Sequence, residues 1–381
     1  MIRFRVTAVS ITCGLLFAIF SFVYLWIGHG DTLSSLYAGY STADASYSPM
    51  VGALLVTLIL WMLQVVVNLF TRFHRMWQAV SFFPSYFCLV LLTCLKGDNS
   101  SDVFYLTFDW SWWQFLFGGA FFALLVYLHR RFAPAMPEKE QFSLEAIPNL
   151  ITLSLFSCMT GYIGNNNELF RYELAVSHAI SQGDTDRALA IGEKSLGTSH
   201  TLSTLRIYAL SQADSLSQRL FCYPQVGLRG VFFNEEKGVV SSITNAAIYD
   251  YLGGIPRKRG ETVPFYLRRV CRSDSTNRKA VDYYLSALLL ERQLETFTRA
   301  LAAFYGNSRP IGRHYQEALL LYCKRVPEYE EQCREQISPE VRRRFKLFGE
   351  LQAQELHPQV ERNYAYRRFG DTYWSYFWYV E

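Results

Sequence analysis

The sequence predicts an all-α protein: a polytopic helical membrane domain of about five spans over residues 1–163, then a helical-hairpin or solenoid-like domain over residues 164–381. Three observations predict this. Five apolar runs in the first part lack Asp, Glu, Lys and Arg altogether. The first 163 residues hold only eight Lys/Arg and eight Asp/Glu, so the remainder carries the whole net charge of +4. Finally, apolar residues of the remainder recur at helical spacing.

The run Met50–Phe70 is the strongest of the five. At about 1.5 Å per residue its length is roughly 31 Å, close to a bilayer's hydrocarbon core. The opening run, residues 7–28, follows a basic start at Arg3 and Arg5. It exceeds a signal peptide's apolar core and ends in Tyr24, Trp26 and Ile27 rather than small residues, so it reads as an uncleaved span. Residues 77–95, 110–128 and 147–163 complete the set. The last is diluted by Pro148, Asn149, Thr152, Ser154, Ser157 and Gly161, and a re-entrant or surface helix is its other reading.

Arginine and lysine placement predicts orientation. Arg3, Arg5, Arg72, Arg75, Arg130, Arg131 and Lys139 fall in one set of loops, and only Lys96 falls in the other. Under the positive-inside rule the N-terminus is cytoplasmic, and five crossings put the tail outside the cytoplasm, in the periplasm of an inner-membrane protein.

Several residues within the runs invite comment. Gln64 and Asn68, four apart, either bind a solute or join neighbouring helices by hydrogen bonds. Pro84 is expected to kink the third span, Gly118-Gly119 to allow close helix approach, and Trp110, Trp112 and Trp113 to sit at an interface. With no Asp, Glu, Arg or Lys inside any run, a transporter is disfavoured.

Beyond Gly164, Asn165-Asn166-Asn167 can cap a helix over about Glu168–Gln182, and Gly183-Asp184 makes a turn into a second over about Thr185–Leu196, ended by Gly197. Leu202, Leu205 and Ala209 mark another before Pro224. The arrangement from Glu168 to Pro224 resembles one tetratricopeptide-type repeat, with Tyr172 and Ala188 suiting the pattern and Gly192 departing from it. Val239–Leu252 and the Gly-rich loop Gly253–Gly260 follow; the loop lacks a phosphate-binding signature. Arg268, Arg269 and Arg272 either face anionic groups or form a solvated helix face. Val281, Tyr284, Leu285 and Leu288, then Leu294, Phe297 and Leu301, then Tyr315, Ala318, Leu319 and Tyr322 mark three more amphipathic helices, and Ser338-Pro339 starts another.

The stretch His314–Tyr322, preceded by Pro310, and the closing Phe369–Phe377 together resemble an uncharacterised family, a domain of unknown function, of bacterial multi-spanning membrane proteins with helical tails. That resemblance implies the architecture and no catalytic residue or cofactor. The candidate interaction surface comprises Gln316, Glu317, Tyr373, Trp374 and Trp378; the alternative for Gln316 and Glu317 is the exposed polar edge of a core helix, and for the three aromatics burial against the preceding helices. Nine aromatic residues between Tyr364 and Tyr379 either dock on something or pack against the preceding helices.

The seven histidines show no metal-ligand spacing, and no Gly-x-Ser-x-Gly elbow occurs. Asp184-Thr185-Asp186 reads as a helix cap. Cys222, Cys271, Cys323 and Cys333 are either buried thiols or, for Cys323 and Cys333, a bridge. The expected partners are the lipid bilayer and a protein, with no nucleic acid, since a net charge of +4 is a poor electrostatic footprint. The leading functional expectation is a scaffold at the cell envelope. The alternative is a membrane enzyme acting on lipid-linked or glycan substrates at the outer leaflet.

Overall fold

A computed structural model describes residues 8–40, 48–98, 105–108, 111–132, 142–164, 167–226, 232–233, 243–306, 310–329, 331, 334–354 and 357–380. The chain forms two compact units, Met1–Leu174 and Ala175–Glu381. The division falls inside a helix, later than the expected boundary after residue 163, because the first turns of that helix group with the apolar unit.

The first unit contains α1 (Ala8–Val23), α2 (His29–Tyr40), α3 (Pro49–Thr71), α4 (Phe83–Thr93), α5 (Trp112–Phe132) and α6 (Phe142–Ile163). A π turn, Tyr24–Gly28, joins α1 to α2. Five segments are long and apolar enough to cross a membrane: Ala8–Ser34, Pro49–Thr71, Arg75–Thr93, Trp112–Phe132 and Glu145–Ile163. The chain after His29, too polar to be read as a helix, continues as one. Between α4 and α5 a small antiparallel ribbon pairs β1 (Leu95–Asp98) with β2 (Tyr105–Phe108), Leu95 opposite Phe108.

Phe17 lies at the centre of this unit, with the rings of Phe82 and Tyr86 at 5.1 and 5.0 Å. Around it Val9, Cys13, Ala53, Leu60, Leu89, Leu153 and Phe156 form the buried core. Polar side chains tie the helices from within. Gln64 donates to Ser81 Oγ at 2.9 Å, Ser85 Oγ to the Leu60 carbonyl at 2.8 Å, and Tyr86 and Ser157 share a hydrogen bond of 2.8 Å. Gln64 therefore joins helices; Asn68 is half-buried.

The third span is interrupted before Pro84 rather than bent at it. Residues Arg75–Phe82 form a 3₁₀ helix in which Trp77 is non-helical (φ −116°, ψ 15°), and Pro84 sits in the first turn of α4. A proline needs no N–H partner at a helix start, so it begins a helix more readily than it kinks one. The interruption leaves backbone groups to be satisfied in an apolar setting. Asn149, fully buried on α6, does this: Oδ1 accepts from Ala79 N at 2.7 Å, and Nδ2 donates to the carbonyls of Arg75 and Glu145 at 2.8 and 2.6 Å. Nearby, His74 N donates to His129 Nε2 at 2.9 Å, and Arg75 pairs with Glu145 at 3.8 Å.

The other unit is built from α7 (Glu168–Ser181), α8 (Thr185–Ala190), α9 (His200–Gln212), α10 (Leu216–Arg219), α11 (Asn245–Leu252), α12 (Val263–Ser273), α13 (Arg278–Leu290), α14 (Leu294–Tyr305), α15 (Arg313–Arg325), α16 (Pro339–Gln352), α17 (Pro358–Phe369) and α18 (Tyr373–Tyr379). Caps predicted from sequence form as hydrogen bonds. Asn167 accepts from Leu169 N and Phe170 N, Asp184 from Arg187 N and Ser338 from Val341 N, and Asn277, not read as a cap from sequence, accepts from Ala280 N. Asn165 and Asn166 lie outside the described residues. Helix α8 stops at Ala190, short of the expected Leu196, because Ile191 is extended and Gly192 takes a left-handed φ of +62°. Its carbonyls are then satisfied from elsewhere: Arg206 Nη2 donates to Gly192 O at 2.9 Å, and Tyr223 OH donates to Leu189 O at 2.9 Å. Arg206, almost fully buried, lies 4.9 Å from the Tyr223 ring.

Asn149→Leu is expected to cost about 1–2 kcal/mol, since it strands the Ala79 N–H without a partner. Thermal unfolding of the detergent-solubilised full chain checks this, with Asn68→Leu, at a half-buried position, expected to shift the midpoint much less.

Candidate functional site

The expected surface residues lie on α15 and α18, and their surroundings start with a close approach. Gly312, just before α15, packs on α10 so tightly that a Cβ there would sit 2.4 Å from Ser217 Cβ. This contact sets the first turn of α15 beside Phe221, whose backbone N–H donates to His314 Nε2 at 3.3 Å. Nε2 is thus an acceptor, and the ring proton resides on Nδ1, which donates to Glu317 Oε2 at 2.9 Å.

Glu317 is the hub. The same Oε2 accepts from Tyr373 N at 2.8 Å, Oε1 lies 3.3 Å from Arg313 Nε, and the Glu317 carbonyl accepts from Trp374 Nε1 at 2.9 Å. Tyr373 opens α18, so the carboxylate meets one of the free N–H groups at the positive end of that helix. Thr372 caps the same end, accepting from Ser375 N at 3.3 Å. Glu317, Tyr373 and Trp374 are 0–1 % exposed. They bind one helix to another and are core rather than surface. Their burial is what a hydrogen-bonded carboxylate and two large rings require, since each would be costly half-covered.

Gln316 is also engaged internally. Its Nε2 donates to Ile311 O at 2.9 Å and its Oε1 accepts from Ser338 N at 2.9 Å, tying α15 to the start of α16. Of the five expected surface residues only Trp378 is exposed, at 51 %.

Arginines absent from the sequence reading complete the cluster. Arg344 Nη2 and Nη1 grip the two Asp371 carboxylate oxygens at 2.8 and 3.2 Å, and Arg313 reaches Asp371 Oδ2 at 3.0 Å. Burial of Asp371 opposes ionisation, but hydrogen bonds from Arg344 and the charges of Arg313 and Arg344 outweigh it and hold the carboxyl below its ordinary range. Arg292 donates to the carbonyls of Tyr376, at 3.3 Å, and of Val380, capping the C-terminal end of α18. A signal for Arg313 was present in its i, i+4 spacing to Glu317. None exists for Arg344 and Asp371, which are 27 residues apart.

A second buried carboxylate, Asp282 on α13, accepts from Tyr305 OH at 2.5 Å and Tyr315 OH at 3.0 Å. Burial raises its pKa above the ordinary value despite these two donors. Burial likewise raises the thiol of Cys222 and pushes Cys271 up to about 12, so neither is an activated thiolate. Cys333 lies outside the described residues, so the expected bridge does too. Glu261 and Arg269 form a bidentate pair at 2.9 Å that closes the Gly-rich loop, which engages one of the three arginines once considered for anion contact. Among the described residues no group of three or more His, Cys, Asp or Glu is arranged to hold a metal ion.

In contrast, α17 is a well-formed helix with two buried residues, Ala365 and Phe369, at i, i+4. Val360, Tyr364 and Tyr366 are exposed at 42, 51 and 44 %. Arg362, Arg367 and Arg368 are exposed among them.

Asp371 gives a pH prediction. A carboxyl with a depressed folded-state pKa contributes stability above its unfolded value and loses it as pH falls through the folded one. Asp371→Asn should therefore lower the thermal midpoint of the full chain at pH 7, and the difference from wild type should close as pH is taken below the carboxylate range.

Residues 260–380 match a family of unknown function, DUF6057. The match takes in both sequence motifs, His314–Tyr322 and Phe369–Phe377, and covers under half of the chain, leaving the five long apolar helices outside it. No curated protein and no solved structure matches the chain. The segment that carries the Glu317 hub, the Asp371 cluster and α17 is therefore similar to a family of unknown function.

Proposed function

We propose that this is an integral membrane protein of the bacterial inner membrane whose helical tail, on the extracytoplasmic side, docks a protein partner. The observation that carries the reading is the exposed face of α17 opposite its buried Ala365 and Phe369, where Val360 and Tyr364, four apart, stand beside Arg367 and Arg368. Aromatic and arginine side chains dominate the energetics of protein interfaces, and exposed apolar groups rimmed by charge mark such surfaces. The partner that fits is a protein with an apolar centre and an acidic rim. Trp378 on α18 adds a further exposed ring.

The membrane placement is supported by the five long apolar helices and by the seven-to-one bias of Arg and Lys between alternate loops. The helical order from α7 to α10 supports a tetratricopeptide-like reading, although α8 is only six residues long. The alternative, an enzyme acting on lipid-linked or glycan substrates, calls for carboxylates open to a cleft. Glu317 is buried, and Asp371 and Asp282 each receive donors from neighbouring helices, which favours docking over catalysis.

Two measurements test these points. Reporter fusions after Arg75, Arg131 and Glu168 are expected to read cytoplasm, cytoplasm and outside; a cytoplasmic signal at Glu168 removes the fifth crossing. A photo-crosslinking side chain at position 364 is expected to capture one stoichiometric protein in cells. The double variant Val360→Ala, Tyr364→Ala should cut capture by an affinity-tagged chain at least tenfold without moving the thermal midpoint. Capture unchanged by that variant would remove α17 as the docking face.

A further inference from the structure

Between α4, α5 and α6 lies an apolar slot of about 130 Å³, walled by Phe83, Phe87, Val90, Phe156 and Met159 among others. We propose that it binds one acyl chain of a membrane phospholipid. The inference rests on the membrane placement above and goes beyond it, because it assigns a defined site to a lipid rather than general solvation by the bilayer.

Four observations support that occupant. The first is chemistry: the wall is nearly all hydrocarbon and aromatic and the slot is open along one side, so an apolar chain can lie in it without burying a polar group. The second is length. On α4 the lining runs from Phe83, in the middle of the third span, to Cys94 just past its end. Eleven residues at about 1.5 Å each make roughly 16 Å, the depth of one leaflet of a core about 30 Å thick.

The third is polarity. Gln114, Thr160 and Cys94 are the lining residues with polar side-chain atoms nearest the segment ends: the C-terminal ends of the third and fifth spans and the N-terminal end of the fourth. Consecutive spans run in opposite directions, so these three ends share one membrane face. Trp112 and Trp113, stacked at 3.7 Å, stand at that same end of α5, where amphipathic rings belong at the headgroup level. Apart from Tyr86, whose hydroxyl is hydrogen-bonded to Ser157, the lining residues that carry polar side-chain atoms thus lie toward one membrane face, the face from which a lipid would enter.

The fourth is access. Helix α5 is scarcely covered by the rest of the unit, with Phe117, Leu124 and Tyr127 exposed at 71, 50 and 64 %. It touches α4 through Gly118, where a Cβ would meet the Phe87 ring at 2.7 Å. A glycine contact lets the helices cross closely at one level and leaves the slot open beside it.

The test uses the full chain reconstituted in phosphatidylcholine vesicles containing a trace of phosphatidylcholine with a diazirine on one acyl chain. After irradiation, peptides are mapped. Labelling of α4 and α6 lining residues should exceed that of the lipid-facing residues Leu58 and Ile59 on α3 at least fivefold. Val90→Trp, and separately Met159→Trp, should fill the slot and lower the slot labelling to the α3 level while the α3 labelling stays unchanged. Native mass spectrometry of the wild-type chain from mild detergent should show one retained phospholipid, lost in the filled variants. Slot labelling equal to α3 labelling in the wild-type chain overturns the proposal, as does equal labelling in a filled variant that keeps its thermal midpoint. Label on neither α3 nor the slot overturns the membrane placement together with it.

Discussion

The side-chain amide of Asn149 is the constraint on which the apolar unit depends. A helix in an apolar medium satisfies its own backbone, and the third long apolar segment fails to do so around Trp77, which leaves the helical region inside the 3₁₀ stretch Arg75–Phe82. One amide supplies what is missing there, accepting from Ala79 N and donating to Arg75 O, while its second hydrogen goes to Glu145 O of its own helix. Because Asn149 belongs to α6, the repair also docks the fifth span on the third. The aromatic packing of Phe83 and Tyr86 against Phe156, at 5.6 and 5.8 Å, follows from that docking. So does the slot, whose wall on one side is α4 and on another α6.

The second unit meets the same difficulty at its helix ends and meets it with charge. Short helices have a large share of their backbone groups at termini, where four N–H or four C=O groups lack internal partners. Glu317 receives the opening N–H of α18, Arg292 donates to that helix's closing carbonyls, and Arg206 with Tyr223 serves the end of α8. Buried charges of this kind are expensive to place and more expensive to leave unpaired. Their recurrence at helix ends gives each a structural duty.

How much of this was legible follows from how local each cause is. Apolar runs, caps and helical periodicity lie within a few residues of one another, and so the five long helices and the caps at Asn167, Asp184 and Ser338 could be read directly. The burial of Glu317 could not, because its partner Tyr373 is 56 residues away and each motif alone looks equally like a surface. Pro84 misled for a different reason: the rule that proline bends a helix presumes an intact helix before it, and here Trp77 has already left the helical region. His29–Tyr40 was too polar for a membrane pattern, yet forms a helix continuous with α1 through a π turn.

The aromatic closing segment shows why composition alone underdetermines function. Tyr364, Tyr366, Tyr373, Trp374, Tyr376 and Trp378 are chemically alike, and sequence cannot rank them. The fold divides them by anchorage. Helix α18 is held at its start by Glu317 and at its end by Arg292, so Tyr373, Trp374 and Tyr376 are drawn inside, where Phe221 packs at a tilt against Tyr373 and Tyr376 with ring centroids at 5.2 and 5.0 Å. Helix α17 buries only Ala365 and Phe369, a strip too narrow to cover a helix that also carries Val360, Tyr364 and Tyr366. A helix needs a wider apolar stripe facing its own core to be held by that core alone. Val360 and Tyr364, four apart on the side opposite that strip, are therefore left facing outward beside Arg367 and Arg368.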